Sequence, residues 1–321
     1  MSVVPKSMDA TLANLLRPVQ GVWCAVLTPF DAAGLPDHAR LAHHVRRILA
    51  AGVDGIALFG TTGEGQSLSL NERRAGLDAL LAAGIAPSQI IAATGCASLP
   101  ETIELTCHAV QSNCVGALIL PPFFFKAVSD EGVFASYAQV IDGVGDPRLR
   151  LYLYHIPQVS GVAISPTVIE RLVVGYSEVL AGVKDSECNL DHTRRLLSRF
   201  RQLAILVGFE PHLPAALAAG GAGTICGIAN LFPRLMRRLH DNALASSHDD
   251  DLKRVESFIA ALERYPLFAA FKALQAKLTG DAGWAALRPP LVALDSAARR
   301  AWLADVVRSG VTADRDAAGP Y

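Results

Sequence analysis

Leu151-Tyr152-Leu153-Tyr154-His155-Ile156-Pro157, then Ser165-Pro166, then Val179-Leu180-Ala181-Gly182-Val183-Lys184: these stretches decide the fold. The first is an apolar run of strand length, rich in residues suited to a pleated surface and closed by proline. Ser165-Pro166 is a helix N-cap followed by proline at the first helical position. The next apolar run arrives one helix later. The segment therefore reads as strand, helix, strand, the repeating unit of a parallel sheet.

The same alternation extends in both directions. Further strands are expected near Val22 to Leu27, Gly55 to Phe59, Ile90 to Ala93, Gly116 to Leu120, Ala204 to Val207 and Ala222 to Cys226, which with Leu151 to His155 and Val179 to Val183 makes eight. Helical periods lie between them at His38 to Ala51, Asn71 to Ala83, Leu99 to Gln111, Asp130 to Ile141 and Pro211 to Ala219, with Ser98 and Asp130 as N-caps. Eight strand–helix units close most economically into an α/β fold of the (β/α)8 TIM barrel type, with a doubly wound open sheet as the rival. Beyond about His240 only helices are expected: Asp249 to Arg264, Pro266 to Thr279 and Ser296 to Ser309. The organisation expected is an N-terminal extension over residues 1–20, a barrel over 21–240 and a structural C-terminal helical extension over 241–321.

Composition narrows the function classes. The chain has 321 residues, 51% hydrophobic and 18% charged, with a formal net charge of -1, so it carries no electrostatic footprint for nucleic acid or an anionic membrane. The stretch up to Gln20 is interrupted by Pro5, Asp9, Arg17 and Pro18, which suits neither a signal peptide nor an anchor and gives a cytoplasmic expectation. Six cysteines without a C-x-x-C pair read as reduced thiols. Adjacent His43 and His44 project about 100° apart on a helix, and no H-E-x-x-H occurs, so no metal site is expected. His248 with Asp249, Asp250 and Asp251 reads as a solvated helix start.

In a barrel of this kind, chemistry sits at the C-terminal ends of the strands. Lys184 ends one apolar run in a chain with only six lysines against 23 arginines. Desolvation there favours a neutral amine able to attack a carbonyl; the plain alternative is a snorkelling lysine. Gly60-Thr61-Thr62-Gly63-Glu64-Gly65 follows the second strand, and its N–H groups and hydroxyls could hold a carboxylate, as an alternative to a tight turn with Glu64 capping local amides. Tyr154 shares a strand face with Tyr152, so it is either core filling or a proton shuttle beside the lysine. His155 should point outward between sheet and helix. Gly208-Phe209-Glu210 and the glycines from Gly220 to Gly227 leave room for backbone to line a pocket.

Taken in order, Thr28-Pro29-Phe30, the GTTGE run from Gly60, the YHIP run from Tyr154, GVKDS from Gly182, Gly223-Thr224-Ile225 with Ala229-Asn230, and Arg288-Pro289-Pro290 resemble the dihydrodipicolinate synthase / N-acetylneuraminate lyase superfamily of pyruvate-dependent class I aldolases. The resemblance implies that Lys184 forms an imine with a 2-keto acid such as pyruvate and that Tyr154 shuttles protons. It puts Thr61 in the proton relay and gives the substrate carboxylate to Thr62, beside the backbone of Gly60 and Gly63. Gly208 and Ile225 would line the pocket. It also implies a homotetramer and no metal or organic cofactor. Two departures bear on the second substrate, an aldehyde. Phe124 stands where the synthases supply a relay tyrosine to a neighbouring subunit, and Val159 stands where they carry an arginine for a carboxylate. The lyases' sugar-binding run reads here Phe209-Glu210-Pro211-His212. Phe123, Phe124, Phe125 and Val159 together suggest an apolar acceptor side. Reversible aldol cleavage leads; a 2-keto-3-deoxy-acid dehydratase, synthase-type condensation and a non-catalytic keto-acid-binding protein are the alternatives.

Overall fold

Eight short strands, each buried on both faces, hydrogen-bond in sequence order and close into a barrel of parallel pairs, β1 returning to β8. The computed structural model describes residues 18–245 and 249–318. The strands are β1 Gly21–Ala25, β2 Gly55–Leu58, β3 Ile90–Ala93, β4 Gly116–Ile119, β5 Leu151–His155, β6 Leu180–Asp185, β7 Ala204–Val207 and β8 Gly223–Cys226. The helices are α1 His38–Ala50, α2 Leu70–Ala82, α3 Leu99–Gln111, α4 Asp130–Val144, the single turn α5 Pro157–Ser160, α6 Pro166–Tyr176, α7 Leu190–Arg199, α8 Leu213–Ala218, α9 Pro233–Asp241, α10 Asp249–Leu262, α11 Leu267–Thr279, α12 Ser296–Arg308 and α13 Ala313–Asp316. The expected (β/α)8 TIM barrel with C-terminal helices is the fold found. Expectations that fall on residues up to Arg17 and on His248 lie outside the described residues. No helix among those described is long and apolar enough to cross a membrane.

The local differences from expectation have physical causes. β6 runs on through Lys184 to Asp185 because both residues keep ladder partners on either side, Tyr154 and His155 in β5 and Leu206 and Val207 in β7. Ser129, not Asp130, caps α4: its side chain accepts from the Gly132 N–H, and Asp130 becomes the first helical residue. Ser165 does cap α6, accepting from Val168 N–H. Ser98 holds the cap position of α3 without a side-chain bond; Thr102 accepts from Cys96 N–H instead. The expected helix from Pro211 divides into a 3-10 turn, Glu210–His212, and α8, because the Glu210 side chain turns inward.

The apolar side chains form two layers, one between sheet and helices and one inside the barrel. At the N-terminal end of the interior, Trp23 and Tyr152 fill the space and glycines on neighbouring strands make room. A Cβ on Gly55 would stand 2.2 Å from the Trp23 ring, and one on Gly116 would stand 2.6 Å from the Tyr152 ring. The Tyr152 hydroxyl accepts from Val19 N–H at 2.9 Å, which seals that end. The C-terminal helices are tied to the barrel through a buried polar chain in which His44 meets Asn230 and Gln275, each at 3.1 Å. Burial holds His44 down to about 4. Trp302 donates its indole N–H to Ala270 O at 2.8 Å, fixing α12 on α11.

Candidate active site

Tyr154 and Lys184 are register partners on β5 and β6. Alternation along the strands turns both inward, towards the open end of the barrel. The Lys184 ammonium lies 4.1 Å from the centre of the Tyr154 ring, and the Tyr154 hydroxyl is 3.2 Å from Thr61 Oγ1. Lys184 is 4% exposed and, among the described residues, has neither an ion pair nor a hydrogen bond. Glycine at 208 is required here, since a Cβ would meet Ser186 Oγ at 1.9 Å and Lys184 Cε at 3.2 Å. Glu210 is buried nearby; burial pushes its carboxyl up, against the opposing pull of the Ile228 and Gly227 N–H groups, each 3.1 Å from Oε1. It fixes the loop after β8.

Backbone strain marks the ends of the loop after β2. Phe59 and Glu64 both adopt left-handed conformations, φ 59° and 55°, that a side chain disfavours. Gly63 and Gly65 are required by the fold: a Cβ on either would run into backbone oxygen, Val26 O at 2.6 Å or Phe59 O at 1.8 Å. Gly60 has open space before it and borders a cavity. The Thr28 hydroxyl donates to Gly63 O at 2.6 Å.

Glu64 does not cap local amides; its buried carboxylate pairs with Lys272 of α11. Lys272 also donates to Ala286 O at 2.8 Å and lies 4.2 Å from the centre of the Phe30 ring. Burial pushes its ammonium down to about 8, against the pull of Glu64. Buried Arg73 donates to Gly65 O at 2.8 Å, and half-buried Arg288 donates to Ser67 O and to Gly34 O, both at 2.8 Å, so two cations hold the loop from behind and tie it to the loop after β1. Sequence reasoning passed over Lys272 because a lysine inside a helical period looks solvated.

A chamber of about 470 Å³ opens above Lys184, and Thr61, Thr62, Tyr154, Val159, Gly208 and Ile225 line it. Gly63 lies behind its wall. Phe124 borders neither this chamber nor the neighbouring one; it is 72% exposed and packs edge-on against Phe125, rings 5.3 Å apart. Phe123 faces inward in its place, because Lys126 bonds Phe123 O and Ser160 O and pins the turn. The C-terminal helical region is more than structural: Glu263, Tyr265, Phe268 and Phe271 wall the chamber. The spacing of Phe268 and Phe271 on one helical face was the available signal.

On the outer face of the same strands, ring nitrogens and carboxylate oxygens of His155, Asp185, Glu187 and His192 lie within 4.8 Å of one another. His155 points outward between sheet and helix and stacks on His192, centroids 4.6 Å apart. Its Nδ1 accepts from Ile164 N–H at 3.1 Å, so in the neutral ring the proton sits on Nε2, which faces Glu187 at 3.3 Å. A metal would need the lone pair there instead and a ring N–H on the far side. Asp185 accepts from Thr193 Oγ1 at 2.7 Å and meets His192 Nδ1 at 3.1 Å. Burial, with His192 beside it, lowers His155; His192 is raised, its carboxylate partners Asp185 and Glu187 outweighing burial. The group is a hydrogen-bonded chain that braces the strands carrying Tyr154 and Lys184.

The Dihydrodipicolinate synthetase family matches residues 18–308. An uncharacterised DapA-like lyase of Chloroflexus aurantiacus is 34% identical over 284 residues, 86% of this chain and 92% of the relative. A 4-hydroxy-tetrahydrodipicolinate synthase of Thermus thermophilus is 32% identical over 224 residues, 69% of this chain and 73% of the relative. The crystal structure of dihydrodipicolinate synthase from Agrobacterium tumefaciens superposes with a TM-score of 0.84 at 36% identity, covering 90% of this chain and 98% of that one.

Proposed function

Because this chain belongs to the dihydrodipicolinate synthetase family and is an enzyme of the lyase or aldolase type, we propose that it is a class I, Schiff-base-forming aldolase that joins a 2-keto acid such as pyruvate to an aldehyde and cleaves the product in reverse. One observation carries this reading: a buried lysine without an acidic partner stands in register with a tyrosine whose hydroxyl meets a threonine.

In the condensing direction the Lys184 amine adds to the ketone, and the carbinolamine hydroxyl takes the Tyr154 proton and leaves as water, giving an iminium and a Tyr154 phenolate. The iminium withdraws electrons from the adjacent carbon, which releases a proton to that phenolate and leaves an enamine. The enamine carbon attacks the aldehyde, the carbonyl oxygen takes the proton back from Tyr154, and water releases the 4-hydroxy-2-keto acid with the free amine. Thr61 relays protons to Tyr154, and Thr62 holds the substrate carboxylate; Gly208 and Ile225 give the pocket backbone walls. The iminium is the electron sink, so the reaction requires no metal or organic cofactor. A cytoplasmic homotetramer completes the reading, with exposed Phe124 and Phe125 as an assembly surface. Dehydration of a 2-keto-3-deoxy acid uses the same imine and is told apart by its product.

The test is exchange of the pyruvate methyl protons in deuterium oxide, followed by proton NMR. Exchange catalysed by the wild-type chain and lost in Lys184→Ala and Tyr154→Phe is expected. Exchange no faster than in buffer would contradict the reading.

A further inference from the structure

The ends of β5 and β6 carry two register pairs in succession, Tyr154 with Lys184 and His155 with Asp185. The first pair faces the chamber and the second faces outward. The Lys184 amine makes neither a hydrogen bond nor an ion pair among the described residues, so its direction is set by the strand that carries it. What holds the end of that strand lies on the outer face.

There Asp185 is gripped by the chain that follows it. Its buried carboxylate accepts from the Thr193 hydroxyl at 2.7 Å and meets His192 Nδ1 at 3.1 Å, both from the first turn of α7, and it accepts from Glu187 N–H at 3.2 Å. Asn189 caps α7, accepting from the N–H groups of Asp191 and His192, which aims that turn back at the strand. His192 Nδ1 also meets Glu187 Oε2 at 3.2 Å, and Glu187 reaches His155 Nε2 at 3.3 Å. Ser186 N–H donates to His155 O at 2.8 Å, and Gln158 donates to Ser186 O, so the ends of β5 and β6 are fixed to one another.

Burying two carboxylates and two imidazoles stabilises a fold little more than apolar side chains of the same volume would. What a satisfied polar network supplies is a single geometry. Here the geometry governed is the gap between the amine and the phenol, and a displacement of about 1 Å in such a gap can cost about 100-fold in rate.

Building on the aldolase reading above, we propose that Asp185, His192 and Thr193 are positioning residues for the reaction: by anchoring the end of β6 from outside the barrel, they set the distance across which Tyr154 and the Lys184 imine exchange protons. Their effect belongs to the chemical steps and not to keto-acid binding, because Thr62, which holds the carboxylate, stands on the loop after β2.

The experiment measures kcat and KM for exchange of the pyruvate methyl protons in deuterium oxide, with borohydride trapping of the imine in the wild-type chain. His192→Leu and Thr193→Val each remove one side-chain donor to Asp185; kcat should fall at least fivefold in each while KM stays within twofold. His192→Asn puts an amide nitrogen where Nδ1 stands and should keep kcat within twofold of wild type. Thr193→Val preserves side-chain shape and decides the outcome if His192→Leu does not fold. A fall in kcat of less than fivefold in a folded variant lacking a donor, a loss carried by KM instead, or a His192→Asn variant as impaired as the donorless ones would overturn the positioning role and leave the aldolase reading standing. Neither exchange nor a trapped imine in the wild-type chain would remove that reading and the positioning role with it.

Discussion

Tyr152 and Tyr154 stand on one face of β5, two residues apart and both buried, yet the two ends of the barrel use them differently. At the closed end, Tyr152 accepts from Val19 N–H and packs where Gly116 leaves room. At the open end, Tyr154 meets Thr61 and lies under the Lys184 ammonium. Identity and burial are shared, so neither distinguishes a core side chain from a reactive one. The difference lies in the partners: backbone at one end, other titratable or hydroxylic side chains facing a chamber at the other.

Single substitutions along this axis should separate the roles. Tyr154→Phe should lower kcat by roughly 10²- to 10⁴-fold, the span of a lost general acid–base group, with the thermal midpoint nearly unchanged. Should its activity survive while the Tyr152 variant loses turnover, the contrast between the ends is wrong. Lys272→Met should cost about 3–5 kcal/mol in denaturant unfolding by leaving the Glu64 carboxylate buried and unpaired. Adding Glu64→Gln should return part of that loss, and the double-mutant cycle measures how much.

Lys272 also gives the open end a pH dependence. Its folded-state value is about 8, below that of the unfolded chain. Between about 8 and the ordinary lysine value of ~10.4 the unfolded chain therefore holds more protons, and this group makes stability rise with pH. Over the same window the pairing with Glu64 is lost and the loop after β2 loosens. KM for the keto acid should climb several-fold above pH ~8 without a matching loss of stability from this group, and Lys272→Met should abolish that rise. The smallest effect is at the closed end: Tyr152→Phe, which leaves Val19 N–H without its acceptor, should cost about 1–3 kcal/mol of stability and spare kcat.

The order of strands and helices was readable because each apolar run is short, bounded by proline or glycine, and separated from the next by a helical period. Lys184 stood out because the chain otherwise uses arginine, and Tyr154 because alternation sets it on the inner face. The closing wall was harder to read. Phe268 and Lys272 share a helix whose pattern resembles any amphipathic helix, and nothing local announces that one faces the chamber and the other Glu64. Phe123 and Phe124 are adjacent and identical, and only the Lys126 bonds to Phe123 O and Ser160 O decide which turns inward. The chain from His155 through Glu187 to His192 joins residues from β5, the loop after β6 and α7, a proximity created by the closed barrel.

Borohydride reduction in the presence of pyruvate, followed by peptide mass spectrometry, tests the central claim most directly. The account predicts one stable pyruvate-derived adduct per chain on the peptide containing Lys184, absent from Lys184→Ala and present in Lys272→Met. An adduct on Lys272 or another lysine, or none in folded protein between neutral and mildly alkaline pH, would contradict it.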